Sequence, residues 1–184
     1  MVAETILGVL AGVALAAACG LRVFLPLLVM SAAAVTGHFT PAGGFAWLGT
    51  TPALVALGVA TAVEIAAYHV PWLDHLLDVA GAPLAVAAGV IAMAAASDAL
   101  PSFLRWAVAV VAGGGVAGLF QGLTGLARLG STLTTGGAAN PAFASFESVG
   151  ALAIAVAALA LPLLAVGFLV ALGGLALRRR RARA

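Results

Sequence analysis

Charge is scarce in this chain. Of its 184 residues, 8% are Asp, Glu, Lys or Arg, against about 25% in soluble domains. So few charges cannot cover a water-facing surface, which argues against a soluble domain. Cysteine is nearly absent as well, and the single Cys19 excludes an intramolecular disulfide. Cys19 sits in "LAAACG", but Ala16 stands where a lipoprotein cleavage site carries a larger aliphatic residue. The opening "MVAETILG" has no Lys or Arg for the n-region of a signal peptide. Cys19 therefore reads as a small packing residue in an uncleaved helix. There is no HExxH or CxxC motif and no Ser-His-Asp arrangement. The run "AGGGVAG" at 112–118 lacks the preceding strand and following lysine of a phosphate-cradling loop. Its glycines, among 23 in the chain, read as helix-packing positions. No catalytic residues, no metal and no cofactor are expected.

Apolar sequence is what the chain has in abundance. It is 64% hydrophobic, with a mean hydropathy of +1.22. Charge-free runs cover 79–97, 106–127 and 148–177. Runs of about 18 or more apolar residues match a roughly 30 Å hydrocarbon core. They are continuous rather than alternating, which favours helices over a barrel. The expected fold class is all-α, a polytopic transmembrane helical bundle of about six spans.

Breakers and polar residues divide the chain. The stretch 5–37 is interrupted at "CGLRVFLP" and 103–137 at the polar "GLARLGSTLTTGGAANP". Each is too long for one upright span, since 33 residues of helix measure about 50 Å. Two helices unwound at their centres are predicted. Spans 52–69 and 79–97 follow the first; 141–160 and 162–177 follow the second. Residues 38–51 read as a loop with interfacial Phe45 and Trp47. "GLRVFLPL" from Gly20 is echoed by "GLARLGST" from Gly125, and the segment from Pro52 by that from Pro141. Halves 5–97 and 103–177 would then form an inverted 3+3 repeat within one transmembrane domain, 1–177. A single tilted helix over 150–177, giving five spans, is the alternative. The tail 178–184 carries five of the eight basic residues. Directly after an apolar run it reads as a positive-inside anchor that keeps the C-terminus cytoplasmic, against anionic lipid, rather than as a nucleic-acid patch.

Four charges fall within apolar sequence: Arg22 and Arg128 in the two proposed breaks, and Glu64 and Glu147 in the segments after Pro52 and Pro141. A charge at membrane depth needs a partner or a wet cavity. Two readings stand: one fixing salt bridge per arginine, or a site that meets an anionic ligand or passes protons. Ser131, Thr132, Thr134, Thr135 and Asn140 would replace lost helical bonds or face the ligand. An ordinary polar loop at the interface is the plainer account of that stretch. Asp98 and Arg105 sit near helix ends, where arginine can snorkel. In "PWLDHLLD", Asp74 and Asp78 share a helix face beside His75. With His69 they make a weak metal signal, and a solvated amphipathic turn explains them better.

"GLRVFLPLLV", "PWLDHLLD" and "STLTTGGAANPAFASFESV" together resemble the bacterial membrane-protein family catalogued as domain of unknown function 4126. The similarity covers roughly 10–170. Its most specific part is carried by Ser131, Thr132, Thr134, Thr135, Gly136, Gly137, Asn140, Pro141, Ser145 and Glu147. Ser148 departs from it, standing where the family pattern has an acidic residue. The resemblance implies an integral protein of the bacterial cell membrane and no activity. A small transporter or channel-like protein for an anionic solute or lipid phosphate group is the leading expectation, with a polar midplane cavity and a homo-oligomeric form. A non-transporting scaffold is its rival. An embedded lipid enzyme would need the Asp74/His75/Asp78 cluster beside the arginines.

Overall fold

The computed structural model describes residues 2–67, 71–162 and 167, and for 71–80 the backbone alone. The 178–184 tail, the span over 162–177 beyond its first residue (Gly167 aside), His69, and the side chains of Asp74, His75 and Asp78 lie outside the described residues.

Every regular element described is helical. α1 runs over Val2–Leu21, α2 over Phe24–Val35, α3 over Thr51–Ala67 and α4 over Pro71–Ala96. α5 covers Ser102–Val108 and passes through one π-helical turn, Ala109–Gly114, into α6, Gly115–Thr135. α7 covers Asn140–Ala160. Three stretches are long and apolar enough to cross a membrane: Val2–Leu21, Ser102–Thr135 and Asn140–Ala160. A fourth arises if the 3₁₀ turn Gly43–Gly49 and α3, bent by 71°, make one broken span. These helices mark a multi-pass membrane protein.

The break between α1 and α2 has a local cause. Pro26 is the third residue of α2, and its ring would clash with the carbonyl of Arg22 if the helix ran straight through. The chain therefore stops being helical at Arg22 and Val23 and restarts at Phe24. It also reverses. Gly8, near the start of α1, faces Ala96 at the end of α4. Beyond α2, Ala42 N–H donates to the carbonyl of Ala95 at 2.9 Å. α2 thus returns toward the end at which α1 begins, and Arg22 sits at the apex of a helical hairpin. At 12 residues, α2 is only about 18 Å long.

The second predicted break is not there. Residues 122–135 stay helical, as part of a 34-residue rod, Ser102–Thr135. The hydroxyls read as a signal for unwinding bond back to their own helix instead. Thr134 Oγ1 donates to the Gly130 carbonyl at 2.9 Å, and Thr135 Oγ1 to that of Ser131 at 2.8 Å. Such bonds satisfy the side chain without opening the helix. The rod ends where Gly136 and Gly137 take φ of +63° and +87°, a left-handed exit open to glycine. Pro141 then starts α7. α7 in turn ends at Ala160, and its cap Leu161 leaves the helical conformation, with φ of −145° and ψ of 71°, before Pro162.

Close packing centres on α1, α4 and the α5–α6 rod. Gly12 faces Met93, Gly89 faces Gly113, and Gly81 faces Gln121, so α4 lies antiparallel to both partners. α1 also packs extensively on α7, whereas α6 and α7 touch only slightly. Phe45, expected at the interface, is buried and stacks at a tilt on Trp106, ring centres 5.9 Å apart, while Trp47 is exposed. Arg105 pairs with Asp98 at 3.6 Å at the start of the rod.

Candidate functional site

Among the described residues, the buried charged side chains are Arg22, Glu64, Arg128 and Glu147, and they belong together. Arg22, only 1% exposed, projects from the α1–α2 apex. Its Nη2 donates to the carbonyl of Ala144 on α7 at 2.5 Å and lies 3.7 Å from Glu147 Oε2. Arg128, two-thirds of the way along α6, holds the same carboxylate from the other side. Its Nε donates to Glu147 Oε1 at 3.2 Å, and its Nη2 pairs with Oε2. This two-pronged geometry is the strongest arginine–carboxylate arrangement. Arg128 and Glu147 each lie seven residues from the helix ends at Thr135 and Asn140, about 10 Å in along each helix. The hairpin of α6 and α7 therefore brings them level.

Glu64 does something else. It reaches from α3 to the start of α2, where Val23 N–H donates to Oε1 at 2.7 Å and Phe24 N–H to Oε2 at 3.1 Å. These are backbone donors that the break leaves without helical acceptors. A negative group is also favoured at a helix N-terminus. One salt bridge per arginine is thus not what is built: Glu147 takes both guanidinium groups and Glu64 takes the backbone. Glu64→Gln offers one acceptor oxygen where two are used. It should cost about 1–2 kcal/mol, read as a lower thermal midpoint in detergent; an unchanged midpoint would contradict this assignment.

The polar stretch divides by face. Gln121, Thr124, Arg128 and Ser131 recur at helical spacing along the inward side of α6, buried or half-buried. Leu119, Leu123, Leu126, Leu129 and Leu133 are exposed on the outward side. Ser131 is 7% exposed and its Oγ has no hydrogen-bond partner. Thr132, Thr134 and Thr135 are exposed. Thr132 Oγ1 accepts from Asn140 Nδ2 at 3.0 Å, tying the two ends of the α6–α7 turn. Ser131 alone of the predicted hydroxyl and amide residues is buried with the four charges. Ser148, the departure from the family pattern, donates to the Ala144 carbonyl at 2.9 Å. Sequence reading missed Gln121. Its place two turns before Arg128 was a usable signal, masked by the glycines around it.

Among the described residues no group of three or more His, Cys, Asp and Glu side chains gathers. A groove of about 390 Å³ lies elsewhere, between α2 and α7, lined mainly by Val29, Ala33, Val156 and Leu159 with His38 at its edge.

Fold and site define a helical multi-pass membrane protein with two arginines and two glutamates buried at a helix break. The chain belongs to the family described as Domain of unknown function (DUF4126), whose profile matches residues 9–181. Comparison with the curated proteins and with the solved structures gave no match.

Proposed function

We propose that the protein is a small membrane transporter for an anionic solute, with Arg22 and Arg128 as its anion-binding groups. One observation carries this reading: two guanidinium groups, one from the α1–α2 break and one from α6, converge on a single carboxylate, Glu147, inside the bundle. Buried ionisable residues in a membrane protein are costly and mark pathways more often than plain packing. The interrupted α1–α2 segment is the kind of element from which transporters build their sites. The thin contact between α6 and α7 leaves the Arg128–Glu147 bridge as the main tie across that gap, a tie a competing anion can replace. In this reading α1, the α5–α6 rod and α7 cross the membrane, with the bent pair of Gly43–Gly49 and α3 as a fourth span. The arginine tail favours a cytoplasmic C-terminus.

A scaffold is the second reading, favoured by the closure of the cluster: each arginine meets a carboxylate and Glu64 is fully used. Flux separates the two. In liposomes holding the purified protein, Arg22→Ala and Arg128→Ala should each reduce anion efflux at least about tenfold, the loss of one charged hydrogen bond at the transition to binding. Equal efflux from parent, variants and protein-free vesicles would leave the scaffold.

A further inference from the structure

Counted by formal charge, the buried cluster is balanced, Arg22 and Arg128 against Glu64 and Glu147. Neutrality restricts what it can admit. An anion entering alone leaves an uncompensated negative charge away from water, which is steeply unfavourable. A proton entering with the anion restores the balance. Arginine stays protonated throughout, so only a carboxylate can take that proton.

The two carboxylates are not equivalent. Glu64 accepts from Val23 N–H and Phe24 N–H, and a proton on it would weaken those charge-assisted bonds. Glu147 holds no backbone group. Its partners are the guanidinium groups of Arg128 on α6 and Arg22 at the α1–α2 apex, the groups an anion would take over. α3 presents Glu64 to the cluster, and α4 brings no charged residue between Gly81 and Ala96. One turn beyond Arg128, on the same face of α6, lies the buried and unpartnered Ser131 Oγ.

We propose that Glu147 is the proton carrier of this site, and that a singly charged oxyanion enters together with one proton. The proton comes from water and adds to a Glu147 carboxylate oxygen. The two guanidinium groups then turn from Glu147 to the oxyanion, whose paired oxygens suit arginine geometry, and Ser131 Oγ donates a further hydrogen bond to it. Release reverses both steps, so anion and proton leave together and no net charge crosses. This inference rests on the reading of the cluster as an anion site and adds its coupling.

Calorimetry tests it without measuring transport. The full-length protein in detergent is titrated at about pH 6 with acetate, nitrate, phosphate and, separately, dihexanoyl phosphatidylglycerol. Two buffers of different ionisation enthalpy count the protons taken up per anion bound. The expected result is one proton per anion. Uptake with the soluble anions assigns a free solute; uptake with the lipid alone assigns a headgroup as the source of the same chemistry. Glu147→Gln, in which no carboxylic acid can form at the shared position, should bind the anion with no proton uptake. Ser131→Ala should keep the proton and bind about tenfold more weakly. Anion binding by the parent without a proton would overturn the coupling while leaving the anion site standing, and so would proton uptake that persists in Glu147→Gln. No binding of any of the four probes would overturn both. The parent's proton count decides the matter even where a variant does not fold.

Discussion

Glu147→Ala is expected to be the most damaging single substitution in the protein, lowering stability by about 3–5 kcal/mol, the usual cost of leaving a buried charge without its partner. The reason is the sharing of one carboxylate. Glu147 is 8% exposed and accepts two prongs from Arg128 while standing 3.7 Å from Arg22. Alanine leaves two guanidinium groups beside one remaining carboxylate, Glu64, which the first turn of α2 already uses. The bridge also joins α6 to α7, which share little other contact, so its loss should loosen that pair first. Thermal unfolding of the detergent-purified protein provides the check, and hydrogen exchange should show α7 losing protection ahead of α4. A midpoint within about two degrees of the parent would mean that water or lipid reaches the arginines freely, contrary to their burial.

The membership of this cluster is legible in the amino-acid sequence, because Arg22, Glu64, Arg128 and Glu147 are the charges set within apolar segments. Long apolar runs made helices in a membrane the only economical answer, and the four charges within them had to find one another. The first helix break was also legible, because Pro26 makes a continuous helix through Arg22 sterically impossible. The second was not. Ser131, Thr134 and Thr135 look like residues that rescue an unwound backbone, but the same hydroxyls can bond carbonyls three or four residues back in an intact helix. Local polarity is blind to that choice, which tertiary packing makes by burying one face of α6 and exposing the leucine face. With the second break gone, so is the correspondence of two broken helices on which the inverted repeat was built. Pairing was illegible for a related reason. Residue types predict that arginine seeks glutamate, but which glutamate depends on how the helices return. The reversal at Arg22 puts Glu64 against backbone donors and leaves Glu147 to both guanidinium groups.

Gly113→Leu is the second large effect to expect, about 3 kcal/mol of lost stability through overpacking, with Gly115→Leu two residues on costing little. The contrast follows from where the rod meets α4. A Cβ added at Gly113 would sit 2.6 Å from the carbonyl oxygen of Gly89 and 2.6 Å from Met93 Cβ. One neighbour is backbone and the other the rigid root of a side chain, so α4 itself must move. At Gly115 a Cβ would meet nothing within 4 Å, on a surface that faces outward. Glycine at Gly113 is therefore a packing requirement, as small residues are wherever membrane helices approach closely. At Gly115 a larger apolar residue removes the backbone freedom that glycine brings to a helix. The consequence reaches the charged site, because α4 and the rod share the seam that continues from Gly89 and Gly113 to Gly81 and Gln121, two turns below Arg128. Prying that seam open should tilt the rod and misalign Arg128 with Glu147. Gly113→Leu should accordingly weaken anion binding in calorimetry as well as lower the thermal midpoint, whereas Gly115→Leu should alter neither. Equal midpoints for the two variants would show that α4 and the rod are not in contact at this glycine pair.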